Sequence, residues 1–274
     1  MHIMDKNKIH MKELDINEIR SYQLGILTEV DSFCKRNNIC YSLSGGTLIG
    51  AVRHNGYIPW DDDIDIMMLR EDYERFCNEF KSEHCKVYTH KNTKEYDYTF
   101  AKVSDERTFL EEYSNQDNIL GINIDVFPID NYSNDLVLSK KSYRIVEFYR
   151  NLLTLKIVKV TKKRSLIKNL ILLLSQIILS VISKKKLVRL IDKKAKCWNS
   201  QKTDYVGCIV WGYGLKERTS SIVFEEYTDV DFEGSKFKAV KDYNAYLSNL
   251  YGDYMKLPPL EKRITHHAFK AYVK

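Results

Sequence analysis

The spacing of hydrophobic positions predicts alternating strands and helices over the first 135 residues. Residues 13–37 carry aliphatic and aromatic side chains at the three- and four-residue intervals of an amphipathic helix, and Asn37 and Asn38 supply a stop signal. Further helices are predicted at 47–54 and 71–81, and strands at 39–43, 61–69, 86–90, 98–103 and 121–127. Pro128 is expected to end the last of these strands. The pattern predicts an α/β (α+β) core with a mixed sheet.

The pattern changes after residue 135, where helical spacing dominates to about residue 198 and basic residues accumulate. Residues 136–196 include seventeen Lys or Arg against two acidic residues, Glu147 and Asp192. The whole chain has a net charge of +6, so the remaining residues are acidic in sum. Residues 136–200 are therefore interpreted as a basic helical insertion that favours an anionic partner. It separates a core at 1–135 from a C-terminal segment at 201–274. The core contains the candidate catalytic residues considered below, and the C-terminal segment is expected to complete their site.

Residues 165–183 are the most hydrophobic part of this insertion, with the sequence SLIKNLILLLSQIILSVIS. At about 100° per residue the polar positions share one helix face, and leucine, isoleucine and valine cover the rest. Basic runs flank the segment at 162–164 and 184–186. A spanning helix needs about 20 mostly apolar residues, so we expect a helix that lies on an anionic membrane surface. An ordinary core helix is the alternative.

Composition narrows the class of protein. The 274 residues are 44% hydrophobic, with 11 glycines and 4 prolines, which excludes a wholly disordered or fibrous chain. The six cysteines include no CxxC pair, so reduced thiols are expected rather than disulfides or a cysteine zinc site. The first fifteen residues contain no apolar segment of the signal-peptide type, and we expect no signal peptide here.

Closely spaced aspartates are the first candidate for chemistry. In the predicted strand at 61–69, Asp63 and Asp65 are two residues apart and would project from one face, while Ile64 and Ile66 face the core. Neighbouring carboxylates repel each other unless a cation lies between them, and Mg²⁺ prefers such oxygen ligands. A solvated acidic strand end is the alternative, which the apolar residues on both sides of the motif disfavour.

A glycine pair supplies the second part of the candidate site. Gly45 and Gly46 follow one predicted strand and open a helix, where backbone N–H groups and the helix dipole attract an anion. The order of strand, glycine pair, helix and DxD strand resembles the nucleotidyltransferase (polymerase-β-like) fold. That fold implies a third carboxylate from a neighbouring strand. Asp125 suits this position because its hydrophobic neighbours alternate with it, whereas Asp130, expected in the loop after Pro128, is the lesser candidate.

The stretch LSGGTLIGAVRHNGYIPWDDDIDI at 43–66 closely resembles the signature of the LicD family, which includes bacterial phosphocholine transferases. GINIDVFPID at 121–130 and two stretches within 232–259, FEGSKFKAV and YLSNLYGDYMKLPP, match the same family, to which fukutin-related proteins are similar. The sixteen residues between Gly46 and Asp63 exceed the spacing of compact nucleotidyltransferases and are usual in LicD-like chains.

This resemblance implies an activity. A LicD-like enzyme would move a phospho-alcohol, most often phosphocholine, from a CDP-activated donor to a sugar hydroxyl and release CMP. The acceptor would be a precursor of a cell-surface glycan such as teichoic acid, capsule or lipopolysaccharide. Asp63, Asp65 and Asp125 would hold Mg²⁺, with Mn²⁺ as an alternative, and Asp125 would take the proton of the attacking hydroxyl. The donor diphosphate would be held by Gly45, Gly46 and Thr47.

Other residues have a functional and a structural interpretation. Arg53 and Lys102 are candidate phosphate ligands, although helix-dipole compensation explains Arg53 equally well and simple solvation explains Lys102. His266 and His267 lie in the C-terminal part of the family match and are candidates for substrate binding. Trp211 could stack on a base or on choline methyl groups, as could other aromatic residues.

The expected partners are a CDP-alcohol donor, with CDP-choline favoured, a glycan or lipid-linked saccharide acceptor, and an anionic membrane surface. Nucleic acid is not expected, because the basic segment alternates with aliphatic rather than aromatic residues. The expected location is cytoplasmic, peripheral on the inner face of the plasma membrane. Two alternatives stay open: a general nucleotidyltransferase that moves NMP from an NTP to RNA or protein, and a non-catalytic membrane- or glycan-binding module. The presence of the glycine pair together with all three aspartates disfavours the last.

Overall fold

The computed structural model describes residues 11–112, 119–161, 164–265 and 269–274, which form a mixed α/β structure. The α-helices are α1 (Ile16–Asn37), α2 (Gly45–His54), α3 (Arg70–Glu79), α4 (Leu136–Ile157), α5 (Leu166–Ile178), α6 (Lys184–Ala195) and α7 (Tyr243–Tyr251). The strands are β1 (Lys12–Glu13), β2 (Ser42–Leu43), β3 (Asp65–Leu69), β4 (Cys85–Tyr88), β5 (Ala101–Asp105), β6 (Thr108–Glu112), β7 (Asn123–Tyr132), β8 (Tyr205–Gly207), β9 (Thr219–Ser220), β10 (Tyr227–Phe232), β11 (Ser235–Val240) and β12 (Phe269–Val273).

The central sheet is mixed and has the strand order β2-β3-β7-β5-β4. β3 and β7 are parallel, and the other neighbours in this order are antiparallel. The far end of β7 pairs with β8, which pairs with β9. Ile64, Ile66, Ile124 and Val126 are fully buried on the core side, and the acidic positions alternate with them. Hydrophobic burial thus fixes which face of β3 and β7 the aspartates occupy.

Local signals determine the ends of the first two helices. Asp15 and Glu18 form a reciprocal capping box at the start of α1, and Asn38 ends this helix in the left-handed conformation with φ of 50°. α2 begins at Gly45, two residues earlier than predicted, with a φ of 50° that glycine adopts without strain. Asn55, directly after the predicted helix end at residue 54, ends α2 with φ of 54°.

Several strands are shorter or longer than predicted. The strand predicted at 61–69 is paired only from Asp65 onwards, so Asp63 precedes it. The strand predicted at 39–43 is reduced to β2, and β6 was not predicted. Periodicity indicates which residues alternate, but the extent of a strand depends on the partner that its backbone meets.

Pro128 does not end its strand, contrary to prediction, and β7 continues to Tyr132. The pairing of β7 with β5 ends at Val126, and the pairing with β8 begins at Asp130. Pro128 lies between these two registers, so no strand on that side requires the N–H that proline lacks.

A buried ion-pair network holds the far end of β7. Asp130 is 0% exposed and lies within the strand rather than in the predicted loop. Arg70, at the start of α3, donates from Nε and Nη2 to the two Asp130 oxygens at 2.7 and 2.6 Å, and from Nη1 to Asp192 of α6 at 3.0 Å. Asn199 adds a hydrogen bond to Asp130 at 2.6 Å. Arg70 and Asn199 therefore satisfy the Asp130 carboxylate, so Asp130 has a structural role separate from the candidate site aspartates.

Residues after 200 complete sheets that N-terminal residues begin. β12 pairs with β6 and with β1 in a small antiparallel sheet. The β10–β11 hairpin lies next to β2, where the Val240 N–H donates to Ser42 Oγ at 3.0 Å and the Lys238 N–H donates to Tyr41 Oη at 3.3 Å. The two ends of the chain thus contribute to the same core.

The basic segment is helical, as predicted, but its helices differ in what they bury. α4 and α6 contribute Val146, Leu187 and other apolar residues to the main core. α5 turns its polar face inward: Asn169 is buried, and Gln176 donates to Leu155 O of α4 at 3.0 Å. Most leucines and isoleucines of α5 are exposed, so the core-helix alternative is wrong.

Within the described residues, no single helix has the length and apolar character of a membrane span. The helical stretches Leu166–Val181 and Lys184–Trp198 meet the length and composition criteria only when taken together, across a bend of 79°. The second stretch contains α6, whose Leu187 and Ile191 are packed in the core. Lys162 and Lys163 of the basic run before α5 lie outside the described residues.

Replacing Arg70 tests the ion-pair network. Arg70→Met is expected to lower the free energy of unfolding by about 3–5 kcal/mol, because the buried Asp130 carboxylate loses its cation. Arg75→Met on the same helix is the matched control, since Arg75 pairs with Asp72 near the surface and contributes about 0–1 kcal/mol. Urea unfolding followed by circular dichroism measures both variants, and equal losses would contradict the assignment.

Candidate active site

Three neighbouring strands bring predicted site residues into one row. Asp65 of β3 is in register with Asp125 of β7, and Asp125 is in register with Lys102 of β5. The Lys102 ammonium forms an ion pair with Asp125 and donates to Asn123 Oδ1 at 3.0 Å. The structure therefore places Asp125 beside Asp65 on a neighbouring strand, with a cation on its other side.

Asp61, Asp62 and Asp63 form a compact acidic group immediately before β3. One carboxylate oxygen from each lies within 4.8 Å of the others. Sequence reasoning did not select Asp61, although a strand over 61–69 would have placed it on the same face as Asp63 and Asp65. Strand pairing begins later, so this part of the chain is a loop.

Helix α1 holds the backbone of this acidic loop. Arg20 Nη2 donates to the carbonyl oxygen of Asp61 at 2.6 Å, and Gln23 Nε2 donates to that of Asp62 at 2.8 Å. The Arg20 guanidinium also lies over the Tyr57 ring, 4.6 Å from its centre. These long-range contacts fix a loop that has no strand partner of its own.

The glycine pair lies against the same carboxylates. A methyl group at Gly46 would lie 2.6 Å from Asp61 Oδ2, and one at Gly45 would lie 3.5 Å from Asp65 Oδ2. A side chain at position 46 would therefore displace Asp61. Thr47 is buried, and its hydroxyl accepts a hydrogen bond from the Asp65 N–H at 2.8 Å. Thr47 thus positions the first residue of β3.

Crowding of the carboxylates changes their ionisation. Burial raises the pKa of Asp65 well above its usual value, and the charges of Asp63 and Asp125 raise it further. Burial and the neighbouring Asp63 raise the pKa of Asp61 to about 7. Carboxylates so close together without a cation retain protons near neutral pH. Three oxygens within 4.8 Å are also a donor set that hard divalent cations prefer. On these observations the residues fit Mg²⁺.

The two predicted phosphate ligands have different surroundings. Arg53, at the end of α2, lines a large cavity over the glycine pair. Its Nη1 donates to Tyr254 O at 2.7 Å. Burial and the nearby charge of Arg263 lower the pKa of Arg53. Lys102 instead lines a separate cavity of about 70 Å³ and is directed at Asp125. His266 and His267 lie outside the described residues.

A cavity of about 740 Å³ opens over the glycine pair and the acidic group. Aromatic side chains form much of its wall: Trp60, Phe127, Trp211, Tyr213, Tyr246, Tyr251 and Tyr254. Arg150, Asn151 and Thr154 of α4 also line it, so the basic insertion contributes directly to the site. Sequence reasoning separated this insertion from the core because no recognised motif falls within it.

Tyr213 and Tyr251 connect the aromatic wall to the acidic group. Their rings pack edge to face with centres 5.3 Å apart, and Tyr213 is 59% exposed in the cavity. Tyr251 Oη and Asp65 Oδ2 lie 3.4 and 3.5 Å from the point where a Gly45 Cβ would stand. The aromatic pair is therefore adjacent to the carboxylates.

Glu217 adds a buried carboxylate to this part of the wall. It is 5% exposed, lines the cavity and accepts a hydrogen bond from the Tyr213 N–H at 3.1 Å. Burial raises the pKa of Glu217 to about 7, and no basic residue in the described part of the chain offsets this effect. The residue was not predicted, because it occurs among charged positions typical of a surface loop.

The chain is similar to one known protein family and to several individual proteins. Residues 38–160 match the family described as LicD/FKTN/FKRP, nucleotidyltransferase domain. The chain is 32% identical over 279 residues to the lipopolysaccharide cholinephosphotransferase LicD of Haemophilus influenzae, which covers 96% of this chain and 100% of that protein. An uncharacterised protein of Rickettsia typhi is 32% identical over 145 residues, covering 51% of this chain and 45% of that protein. One of Rickettsia prowazekii is 49% identical over 51 residues, covering 19% and 18%.

The raised pKa of Asp61 predicts that neutralising this residue stabilises the protein, by an amount that depends on pH. Its folded pKa of about 7 lies above the value of about 3.9 in an unfolded chain, so its ionisation destabilises the fold increasingly as pH rises between these values. Asp61→Asn is therefore expected to raise the Tm of the metal-free protein by about 3–6 °C at pH 8 and by little near pH 4.

Thermal unfolding in EDTA measures this difference. Asp231→Asn is the control, since it removes the same charge from an exposed position on β10. A gain of equal size at both pH values, or the same gain in the control, would contradict the prediction.

Proposed function

This chain belongs to the LicD family, and we propose that it transfers phosphocholine from CDP-choline to a hydroxyl group of a cell-surface glycan precursor, releasing CMP. One observation carries the proposal: a single cavity joins an acidic group that suits a divalent cation to an aromatic wall that suits a quaternary ammonium group. The parallel pairing of β3 and β7, with their aspartates in register, supports a nucleotidyltransferase-like core for this site.

Asp61, Asp63 and Asp65 are proposed to hold Mg²⁺, or Mn²⁺, with Asp125 nearby on β7. The crowding of these carboxylates and the raised pKa values of Asp61 and Asp65 support this role, since a bound cation would take the place of protons. Bound there, the cation would neutralise negative charge that develops on the transferred phosphate and on CMP. Asp62 is the least suited of the group because it lines the smaller cavity beside Lys102 and not the larger one, which Asp61, Asp63 and Asp65 line.

In the proposed reaction the acceptor hydroxyl oxygen forms a bond to the phosphorus that carries choline. The bond from that phosphorus to the CMP oxygen breaks, and the hydroxyl proton passes to a carboxylate. Asp125 is proposed as this base, and the ion pair with Lys102 and the strand register fix its position. Lys102 would thus act through Asp125 rather than on phosphate directly.

The donor phosphates are proposed to lie at the start of α2. The Ser44 and Tyr246 hydroxyls lie 3.0 Å apart beside this helix start. Gly46, in the first turn of the helix, and Arg53, at its end, are the residues of α2 proposed to contact phosphate. Thr47 would contribute indirectly, by orienting Asp65.

The choline group is proposed to lie against Tyr213, Tyr251 and Glu217. A trimethylammonium group is attracted to ring faces and to a carboxylate without needing a hydrogen bond. Both rings adjoin the acidic group, and Glu217 is a buried carboxylate in the same wall with no basic neighbour among the described residues. This arrangement favours a cationic alcohol over ribitol or glycerol.

The protein is proposed to act at the cytoplasmic face of the plasma membrane, where α5 would rest on anionic lipid. Leu170, Leu174 and Ile177 share an exposed apolar face, and Lys168 and Lys186 are exposed on and beside the same helix. On the inward polar face, Gln176 donates to the carbonyl oxygens of Leu155 and Val158 at the end of α4. The apolar face on the other side of α5 is exposed in the described part of the chain. Since α4 also lines the cavity, lipid-linked acceptors would reach the site from this side.

A panel of CDP-alcohols tests the activity. With Mg²⁺ and an extract of envelope glycans, CMP release is expected from CDP-choline and much less from CDP-ribitol or CDP-glycerol. Asp63→Asn is expected to lower kcat by about 10²-fold or more, because it removes charge from the group proposed to hold the cation. Chromatography of CMP is the measurement, and the extent of protein unfolding at assay temperature is checked in parallel.

The variant Glu217→Gln tests, in the same assay, whether the enzyme prefers choline over a neutral alcohol. It is expected to lower kcat/KM for CDP-choline by about tenfold relative to CDP-glycerol, since only choline carries a cation. Release from a neutral CDP-alcohol alone would overturn the choline assignment. Turnover of an NTP with no CDP-alcohol used would favour nucleotidyl transfer instead.

Vesicle binding tests the membrane proposal. The triple variant Leu170→Ser, Leu174→Ser and Ile177→Ser is expected to bind vesicles of phosphatidylglycerol at least about tenfold more weakly in co-sedimentation, because it removes apolar area from the exposed face. The double variant Ile16→Ser and Ile222→Ser removes exposed apolar residues elsewhere and is the control. Equal binding by wild type and triple variant would refute the proposal.

A further inference from the structure

We propose that Arg150 forms an anion subsite of the cavity and binds a phosphate group of a substrate. Arg150 lies in α4, within the basic insertion, and lines the cavity beside Asn151 and Thr154. The identity of the ligand as a phosphate ester rests on the proposed function. The presence of an anion subsite rests on the charge and surroundings of Arg150 alone.

Aromatic packing holds the Arg150 guanidinium in place. Its central carbon lies 5.6 Å from the centre of the Trp211 ring and 5.9 Å from that of Tyr143, and Nη2 donates to the Tyr143 hydroxyl at 3.3 Å. Trp211 packs on Phe100, and Phe100 packs on Phe127 of β7 with ring centres 4.5 Å apart. The arginine is thus fixed, through a series of rings, to the strand that carries Asp125.

The charge of Arg150 has no counterpart in the described part of the chain. Its Nη1 atom is buried and has no hydrogen-bond partner there. Arg70 in the same protein is matched by Asp130 and Asp192. Arg150 is half-buried, and partial loss of water around a cation without an anion is destabilising, so its place in the wall of a cavity points to an anionic ligand.

A phosphate suits this position because a guanidinium presents two parallel N–H donors that match phosphate oxygens. Two substrates could supply it: the diphosphate of a nucleotide donor, or a phosphate that links an acceptor glycan to its lipid. Both present the same chemistry, so the probes must separate them.

Isothermal titration of the full chain in Mg²⁺ tests the proposal, with CDP as the donor probe and geranyl diphosphate as the lipid-type probe. Arg150→Gln is expected to weaken binding of CDP about 10–100-fold, and Arg150→Lys less, since lysine keeps the charge but not the fork. Arg144→Gln is the matched control on the same helix, where Arg144 is exposed, and it is expected to have little effect. Circular dichroism and the Tm of each variant separate loss of binding from loss of fold.

Weakened binding of geranyl diphosphate with unchanged binding of CDP would support the anion subsite and assign it to the acceptor. Equal affinities for wild type and Arg150→Gln, equal losses for Arg150→Gln and Arg144→Gln, or no binding of either probe by wild type would each overturn the proposal. CMP release by wild type tests the proposed function separately. Arg150-dependent binding of CDP without CMP release would refute phosphocholine transfer and leave the subsite in place.

Discussion

Repulsion among buried carboxylates is the constraint on which the rest of this structure depends. When ionised, Asp61, Asp63, Asp65 and Asp125 place like charges around the start of β3 and beside it on β7, and burial makes their repulsion stronger than it would be in water. The parallel pairing of β3 with β7 holds two of them in register. Helix α1 and Thr47 hold the backbone of the others through hydrogen bonds over long sequence separations. The surrounding fold thus holds these carboxylates together despite their repulsion.

Two aspartates on β7 illustrate how partners separate structural from functional roles. Asp125 and Asp130 lie five residues apart on one strand, and both are acidic residues in a hydrophobic setting. Asp130 is matched by Arg70 and Asn199, so its charge is fully satisfied within the protein. Asp125 is matched by Lys102 on one side but adjoins Asp65 on the other. Only the second arrangement leaves net negative charge available to a ligand.

The basic insertion is part of the site rather than an addition to it. α6 contributes to the hydrophobic core, α4 provides the cavity wall that contains Arg150, and α5 exposes an apolar face. Its positive charge therefore faces in two directions. Arg150 faces the cavity from within, whereas Lys168 and Lys186 face outward near α5. One segment thereby relates the position of the active site to the surface on which the protein is proposed to act.

The sequence by itself determined the helix ends at Asn38 and Asn55, the alternation that directs Asp65 and Asp125 away from the core, and the resemblance to the LicD family. These features depend on local backbone preference and on hydrophobic periodicity, which neighbouring residues alone specify. Only the tertiary structure decided the extent of β7 through Pro128, the approach of Asp61 to Gly46, and the meeting of Arg150 and the buried Glu217 in one cavity wall. Those features arise from contacts between residues far apart in the chain, where burial and distance set the ionisation and the partners of each charge. No local pattern carries that information.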